Sequence, residues 1–281
     1  MKKLVFTVVS AAVSFFAFAA VPFEIGIAGF TFSKQTLDKA LSTMEKIDCH
    51  YLCHKDFFLG YEASEAEIES FKAKLASAKV KCVATGPFYA NSEEQLLRQF
   101  EFARKMGIKV VVGVPYEVKD KKKDSWGPNR VESDKMLDVI DKLVKEYDIC
   151  YAIHNHGPDL PNLFPTGESV LKRIASRDKR IGVCFDIGHE RRSGKDPVAF
   201  IIQNGDRIFD VHIKNIIVDK KKNIAMEAPR GELDIPAVFR ALKKVGYKGV
   251  CHIEYEKDFK DNAMPLAESF GYFRGVADGI E

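Results

Sequence analysis

Short, mainly apolar runs and longer stretches with helical spacing take turns along this chain. The apolar runs cover residues 23–28, 49–53, 80–84, 109–114, 149–153, 181–185, 208–213 and 250–253. Most are nearer to continuous than to alternating, which is the pattern of strands buried on both faces. Between them lie helix-period segments at 34–46, 65–78, 92–106, 133–147, from 166 onward, 196–204, 235–245 and 263–276. In the fourth of these, Met136, Leu137, Ile140, Leu143 and Val144 fall at the spacing of one helix face. Ser33 and Ser64 stand as N-caps, and Pro197 and Pro236 sit where an opening helical turn accepts proline.

Eight strand–helix repeats in roughly 250 residues predict a single-domain α/β fold, the (β/α)8 TIM barrel. A doubly wound open sheet is the runner-up, but no G-x-G-x-x-G follows a strand and no Walker A pattern occurs. The longest insertion, around Trp126 between the fourth strand and the fourth helix, falls on the carboxyl-end face as a candidate lid.

Active sites of such barrels lie where the strand carboxyl ends converge. The fifth run ends in His154, Asn155 and His156 before breaking at Gly157-Pro158, and the two imidazoles leave on the same side. The sixth delivers Asp186 and His189, the seventh His212 and Lys214, the eighth Glu254, and the second His54 and Lys55. Imidazole and carboxylate from adjacent strands form a mixed N/O donor set suited to Mn, Co, Zn or Fe rather than Ca. Burying an unpaired carboxylate is costly, so Asp186 and Glu254 at apolar strand ends point to function. His50, His54 and His252 read as structural or surface residues, and Arg191-Arg192 as a solvated turn.

The series resembles the xylose isomerase-like sugar isomerase/epimerase superfamily of TIM barrels over essentially the whole chain after its leader. The resemblance rests on His154-Asn-His-Gly157, Asp186-Ile-Gly-His189 with Gly194, Val211-His-Ile-Lys214, Arg230-Gly-Glu-Leu-Asp234, and Gly246-Tyr-Lys-Gly249 leading to Ile253-Glu254. It implies a divalent metal (Mn, Co, Zn, Fe or Mg) held by residues of strands five to eight: His154, Asp186, His212 and Glu254. His154 stands where relatives often carry a glutamate, leaving the ion one negative charge less compensated and His156 a competitor for the same role. It also implies chemistry on a carbohydrate through proton abstraction next to a carbonyl and a metal-stabilised enediolate.

Glu254, His154 and His156 are the candidate bases, with Lys214 stabilising substrate oxygens. Lys55, His189 and Arg230 are the candidate substrate contacts. Isomerisation or epimerisation is the first expectation. Departure of a β-substituent from the same enediolate, as in a dehydratase or 3-keto-glycoside lyase, is the alternative. A sugar-binding barrel without turnover is the second.

Lys2-Lys3, the apolar run from Leu4 and the close Ala17-Phe-Ala19 read as a signal peptide over residues 1–19, with the barrel over 20–281. That predicts a bacterial protein exported to the periplasm or medium, with no membrane association after cleavage, and makes a sugar phosphate a poor substrate. Composition changes little: the 281 residues are 46% hydrophobic with net charge +3, and nothing in that balance argues for nucleic acid. A nuclease of the related endonuclease branch would need a basic groove that is not apparent. The six cysteines read as buried thiols, and a homo-oligomer is left open.

Overall fold

The computed structural model describes residues 21–123, 127–218 and 223–280. Eight parallel strands follow one another around a ring: β1 (Glu24–Ala28), β2 (Tyr51–His54), β3 (Lys81–Ala90), β4 (Val110–Val118), β5 (Cys150–His154), β6 (Ile181–Asp186), β7 (Ile208–Ile213) and β8 (Val250–Ile253). Pairing of β1 with β8 and of β3 with β4 leaves no open edge, so the sheet is a closed barrel. The helices around it are α1 (Leu37–Lys46), α2 (Glu65–Ser77), α3 (Glu93–Met106), α4 (Asp134–Tyr147), α5 (Gly167–Arg173), α6 (Ile187–Arg192), α7 (Pro197–Asn204), α8 (Ile235–Lys244) and α9 (Ala263–Asp278). The fold is the single (β/α)8 barrel that the alternation predicts.

Local chemistry sets most element starts. Ser64 and Glu67 form a reciprocal capping box on α2, while Ser92, Ser133 and Thr166 accept from the backbone of α3, α4 and α5. Ser33 is not the cap of α1: a 3-10 turn occupies Gly29–Phe32, and Thr36 takes the N-cap three residues later. The strand at 80–84 does not stop at Gly86-Pro87 but runs to Ala90. Gly86 makes this continuation possible, because its φ is +135° and a Cβ there would lie 2.0 Å from the Val112 carbonyl oxygen. β4 also runs past Pro115, pairing antiparallel with the short strand Arg130–Glu132. A further two-stranded ribbon, Ile216–Val218 with Asn223–Ala225, follows β7.

Inside the barrel, Cys53, Ala84, Val112, Ala152 and Cys184 form a layer of small side chains. Larger apolar residues such as Phe100, Tyr151, Phe185 and Phe239 fill the space between sheet and helices. All six cysteines are free thiols; four are buried, and Cys82 and Cys150 are half-buried. Among the described residues no helix is long and apolar enough to cross a membrane. The expected leader at 1–19 and Trp126 of the candidate lid lie outside the described residues.

Candidate active site

Parallel pairing sets Asp186 beside His212 and brings the ends of β5, β6, β7 and β8 to one place. Donor atoms of His154, Asp186, His212 and Glu254 all lie within 4.8 Å of one another, and all four side chains are buried. His154 Nε2 is 3.7 Å from Asp186 Oδ2 and 4.0 Å from Glu254 Oε2, and His212 Nδ1 is 3.5 Å from the same Glu254 oxygen. Both ring nitrogens of His154 and of His212 lack a hydrogen-bond partner, while Asp186 Oδ2 and Glu254 Oε2 meet a lysine ammonium. Buried polar atoms are ordinarily satisfied. Two imidazoles with orphaned nitrogens and two carboxylates that converge on them therefore fit a first-row divalent ion, which His154, Asp186, His212 and Glu254 would hold.

A lysine shares this space. Lys214 Nζ lies 2.9 Å from Glu254 Oε2, 3.2 Å from Asp186 Oδ2, 3.2 Å from Glu256 Oε2 and 3.0 Å from His189 Nε2. The charges reorganise one another. Burial alone would raise the carboxyls, but Lys214 and the neighbouring imidazoles outweigh it and hold Asp186 and Glu254 well below the usual carboxylate range. Burial would likewise lower Lys214, but the three carboxylates hold it well above its ordinary value, as an ammonium. Burial pushes His154 down, and His156 down to about 4, so both are neutral near pH 7. His212 is raised, because the Glu254 charge outweighs burial.

Above the four donors opens a cavity of about 280 Å³, with His154 and Glu254 at its base. Lys55, His156, His189, Lys214 and Glu256 supply its polar lining, and Phe30, Pro87 and Tyr89 its walls. This is near the lower end of the roughly 300–1,000 Å³ usual for small-molecule sites, room for one ring rather than two. The His156 ring stacks on His189 at 4.7 Å, so it faces the cavity and does not join the four converging donors. Lys55 is held by the Pro87 carbonyl oxygen at 2.6 Å and by Asp56 at 3.3 Å.

Two expectations need correction. Arg230 lies outside the cavity: it ends a 3-10 turn and pairs with Glu268 of α9, its Nε 2.7 Å from Oε1. Arg191 and Arg192 belong to helix α6, not a solvated turn, because the Asp186 carboxylate caps its backbone by accepting from His189 N at 2.8 Å. Arg192 NH1 then reaches His189 Nδ1 at 3.0 Å. The structural readings of the other histidines agree with the fold: His54 is buried on Thr85 Oγ1, His252 bonds Asp210 at 2.7 Å, and half-buried His50 lies beside Asp48.

Sequence reasoning passed over several residues that shape the site. Asn155 accepts from Asp186 N at 2.8 Å and donates to Asp186 O at 3.1 Å, clamping the backbone that carries the β6 carboxylate. Buried Glu190 accepts from Gly167 N at 2.8 Å and from Asn155 Nδ2 at 3.3 Å. Asp210, beneath His212, has Oδ2 3.8 Å from its Nε2. An acid inside the apolar run that carries His212 was the visible signal for Asp210. Glu256, two residues beyond Glu254, was in view by the same strand logic.

Comparison with known proteins places these residues in a wider context. The family described as xylose isomerase-like TIM barrel matches residues 40–275. The rhizopine catabolism protein MocC of Rhizobium meliloti is 29% identical over 147 residues, 47% of this chain but only 44% of MocC, so the matched stretch spans under half of that relative. Inosose dehydratase of Clostridium tetani is 25% identical over 211 residues, 66% of this chain and 70% of that enzyme. The crystal structure of IolI with a bound zinc atom superposes with a TM-score of 0.69 at 17% identity, covering 92% of this chain and 99% of IolI.

Proposed function

This chain belongs to the xylose isomerase-like TIM barrel family, and we propose that it is a carbohydrate-modifying enzyme that removes a proton next to a carbonyl and expels a β-substituent. It is, on this reading, a dehydratase or lyase of keto-sugars. The observation that carries the choice is the direction of His154. Its Nε2 faces Asp186 and Glu254 at 3.7 and 4.0 Å, while its Nδ1 is buried without a partner. A carboxylate at this position could give one oxygen to an ion and the other to the substrate. An imidazole aimed inward has no second atom to offer. Epimerisation at one carbon needs bases on both of its faces, and of the four converging residues Glu254 is the one that brings a carboxylate to the cavity.

Elimination needs one base. Ionised Glu254 takes the proton α to the carbonyl, the electron pair of that bond forms the carbon–carbon double bond, and the β-substituent leaves with its own bonding pair. Lys55 stands at the cavity wall to protonate it, so that water or an alcohol departs. Lys214 and His189 face the cavity as hydrogen-bonding groups for substrate oxygens. A divalent ion held by His154, Asp186, His212 and Glu254 would supply Lewis-acid polarisation of a substrate oxygen. The likeness to inosose dehydratase supports elimination, and the zinc in IolI supports an ion. Same-face isomerisation is the second reading, because one base can return its proton to the neighbouring carbon.

Export to the periplasm or medium belongs to this proposal and is supported by the charged and apolar pattern of residues 1–19. The deciding experiment is proton NMR in D2O of the Mn-, Co- or Zn-supplemented protein with inososes, free keto-sugars and 3-keto-glycosides. Elimination appears as loss of the β-substituent with formation of an unsaturated or diketo product, absent in Glu254→Gln. Interconversion of sugars without loss of a substituent would replace it with the isomerase reading. Binding without deuterium exchange across the panel would leave a sugar-binding barrel.

A further inference from the structure

We infer that Lys214 is a built-in counter-cation that holds the carboxylates of the metal-free site and withdraws onto Glu256 when a divalent ion binds. The inference rests on the reading of His154, Asp186, His212 and Glu254 as ligands. Its ground is geometry. The two carboxylate oxygens that converge with the imidazoles, Asp186 Oδ2 and Glu254 Oε2, are the same atoms that Lys214 Nζ meets at 3.2 and 2.9 Å. One cation and one ion are therefore directed at one pair of oxygens. The third partner, Glu256 Oε2 at 3.2 Å, is not among the converging donors and has a partly exposed side chain.

Charge accounting gives the direction of the exchange. Without an ion, Asp186, Glu254 and Glu256 present three negative charges to one ammonium. Removing Lys214 would leave buried carboxylates uncompensated, which is costly. With a divalent ion on Asp186 and Glu254, Lys214 and Glu256 balance as a pair of their own, and the cluster reaches neutrality. The lysine stem restricts where the ammonium can go: an added Cβ at Gly188 would lie 2.9 Å from Lys214 Cβ and 2.5 Å from its carbonyl oxygen, so chain and stem run tight against α6. Glu256 Oε2, already 3.2 Å from the ammonium, lies within a short swing of it.

The test measures Zn and Mn affinity by chelator competition, and thermal unfolding of metal-free and loaded protein, for wild type, Lys214→Met and Glu256→Gln. Lys214→Met should bind the ion at least about tenfold more tightly, because a like charge is removed from beside it. Its metal-free form should melt lower, and its gain in Tm on loading should exceed that of wild type. Glu256→Gln, which retains the lysine should Lys214→Met not fold, should bind the ion more weakly because the ammonium has lost its retreat. Wild-type binding with Lys214→Met no tighter overturns the inference and leaves the metal site standing. Wild-type affinity in Glu256→Gln removes the retreat onto Glu256 and overturns it as well. No binding by any of the three overturns the metal reading with it.

Discussion

Glu254 Oε2 lies 2.9 Å from Lys214 Nζ, and this contact joins the ends of β7 and β8 at the mouth of the barrel. Burial would protonate such a carboxyl, but the ammonium and His212 keep it ionised. A buried carboxylate kept charged beside an apolar-walled cavity is positioned as a base. Glu254→Gln preserves the shape and removes the proton acceptor. Turnover should fall by about 10²–10⁴-fold, the usual worth of a positioned general base, with the far-UV spectrum unchanged. Rate measurements on whichever keto-sugar reacts check this, and turnover within a factor of two of wild type would remove Glu254 from the role.

Arg230 gives the opposite expectation. Its guanidinium pairs with Glu268 on the outer surface of α9 and meets neither the cavity nor the four inward donors. Arg230→Ala should leave metal content and kcat/KM within about twofold of wild type, as surface substitutions away from special features do. A large rise in KM would show that the loop carrying Arg230 closes over the substrate.

His54 sets a pH dependence that has nothing to do with catalysis. It is buried among Tyr61, Phe71 and Phe102, with Nδ1 on Thr85 Oγ1 at 2.9 Å, and burial pushes it down to about 3. The unfolded chain carries an ordinary histidine, so between about 6.5 and 3 the unfolded state binds the extra proton. The neutral folded ring thus contributes stability that is present above pH 6.5 and is lost as pH falls through that window. His54→Gln removes the titration. In urea unfolding, wild type should lose about 2 kcal/mol more than His54→Gln between pH 6.5 and 5. Parallel pH profiles would mean that His54 is protonated in the folded barrel.

The barrel was legible because strands covered on both faces become unbroken apolar runs, and β6, from Ile181 to Asp186, is buried at every position. Charged residues closing such runs stand out, so Asp186, His212 and Glu254 could be singled out as candidates without coordinates, while His154 and His156 competed for one place. The extensions of β3 and β4 could not. Gly86-Pro87 and Pro115 carry the marks of strand ends, and only the packing of Gly86 on Val112 shows otherwise. Partnerships across distant sequence were equally hidden. Asp210 acquires its meaning from His252, and Arg230 loses its expected one to Glu268. Lys214 could be placed on the right strand, but its three carboxylates arrive from β6 and from the end of β8.

The Asn155–Glu190 pair offers the most direct check that the site depends on support beneath it. Asn155 holds both backbone groups of Asp186, and Glu190 holds Asn155 to the start of α5 at Gly167. Asn155→Ala strands two buried backbone groups next to a candidate ligand. Metal affinity should fall by about 10–100-fold, the usual effect of losing an outer partner of a ligand, while the four donors remain in place. Glu190 adds a pH signature. Burial raises its carboxyl to about 7, above the ordinary 4.5, so the folded state binds the extra proton between those values. The sign is therefore opposite to that of His54: this group's contribution is full below pH 4.5 and is lost as pH rises toward 7. Glu190→Gln keeps an oxygen for Gly167 and Asn155 but cannot ionise. From pH 5 to pH 8 the variant should gain on wild type by 1 to 3 kcal/mol, an order-of-magnitude expectation from the shift. Urea unfolding of both proteins across that range decides it, and a constant difference would show that Glu190 is already ionised in the folded barrel at pH 5.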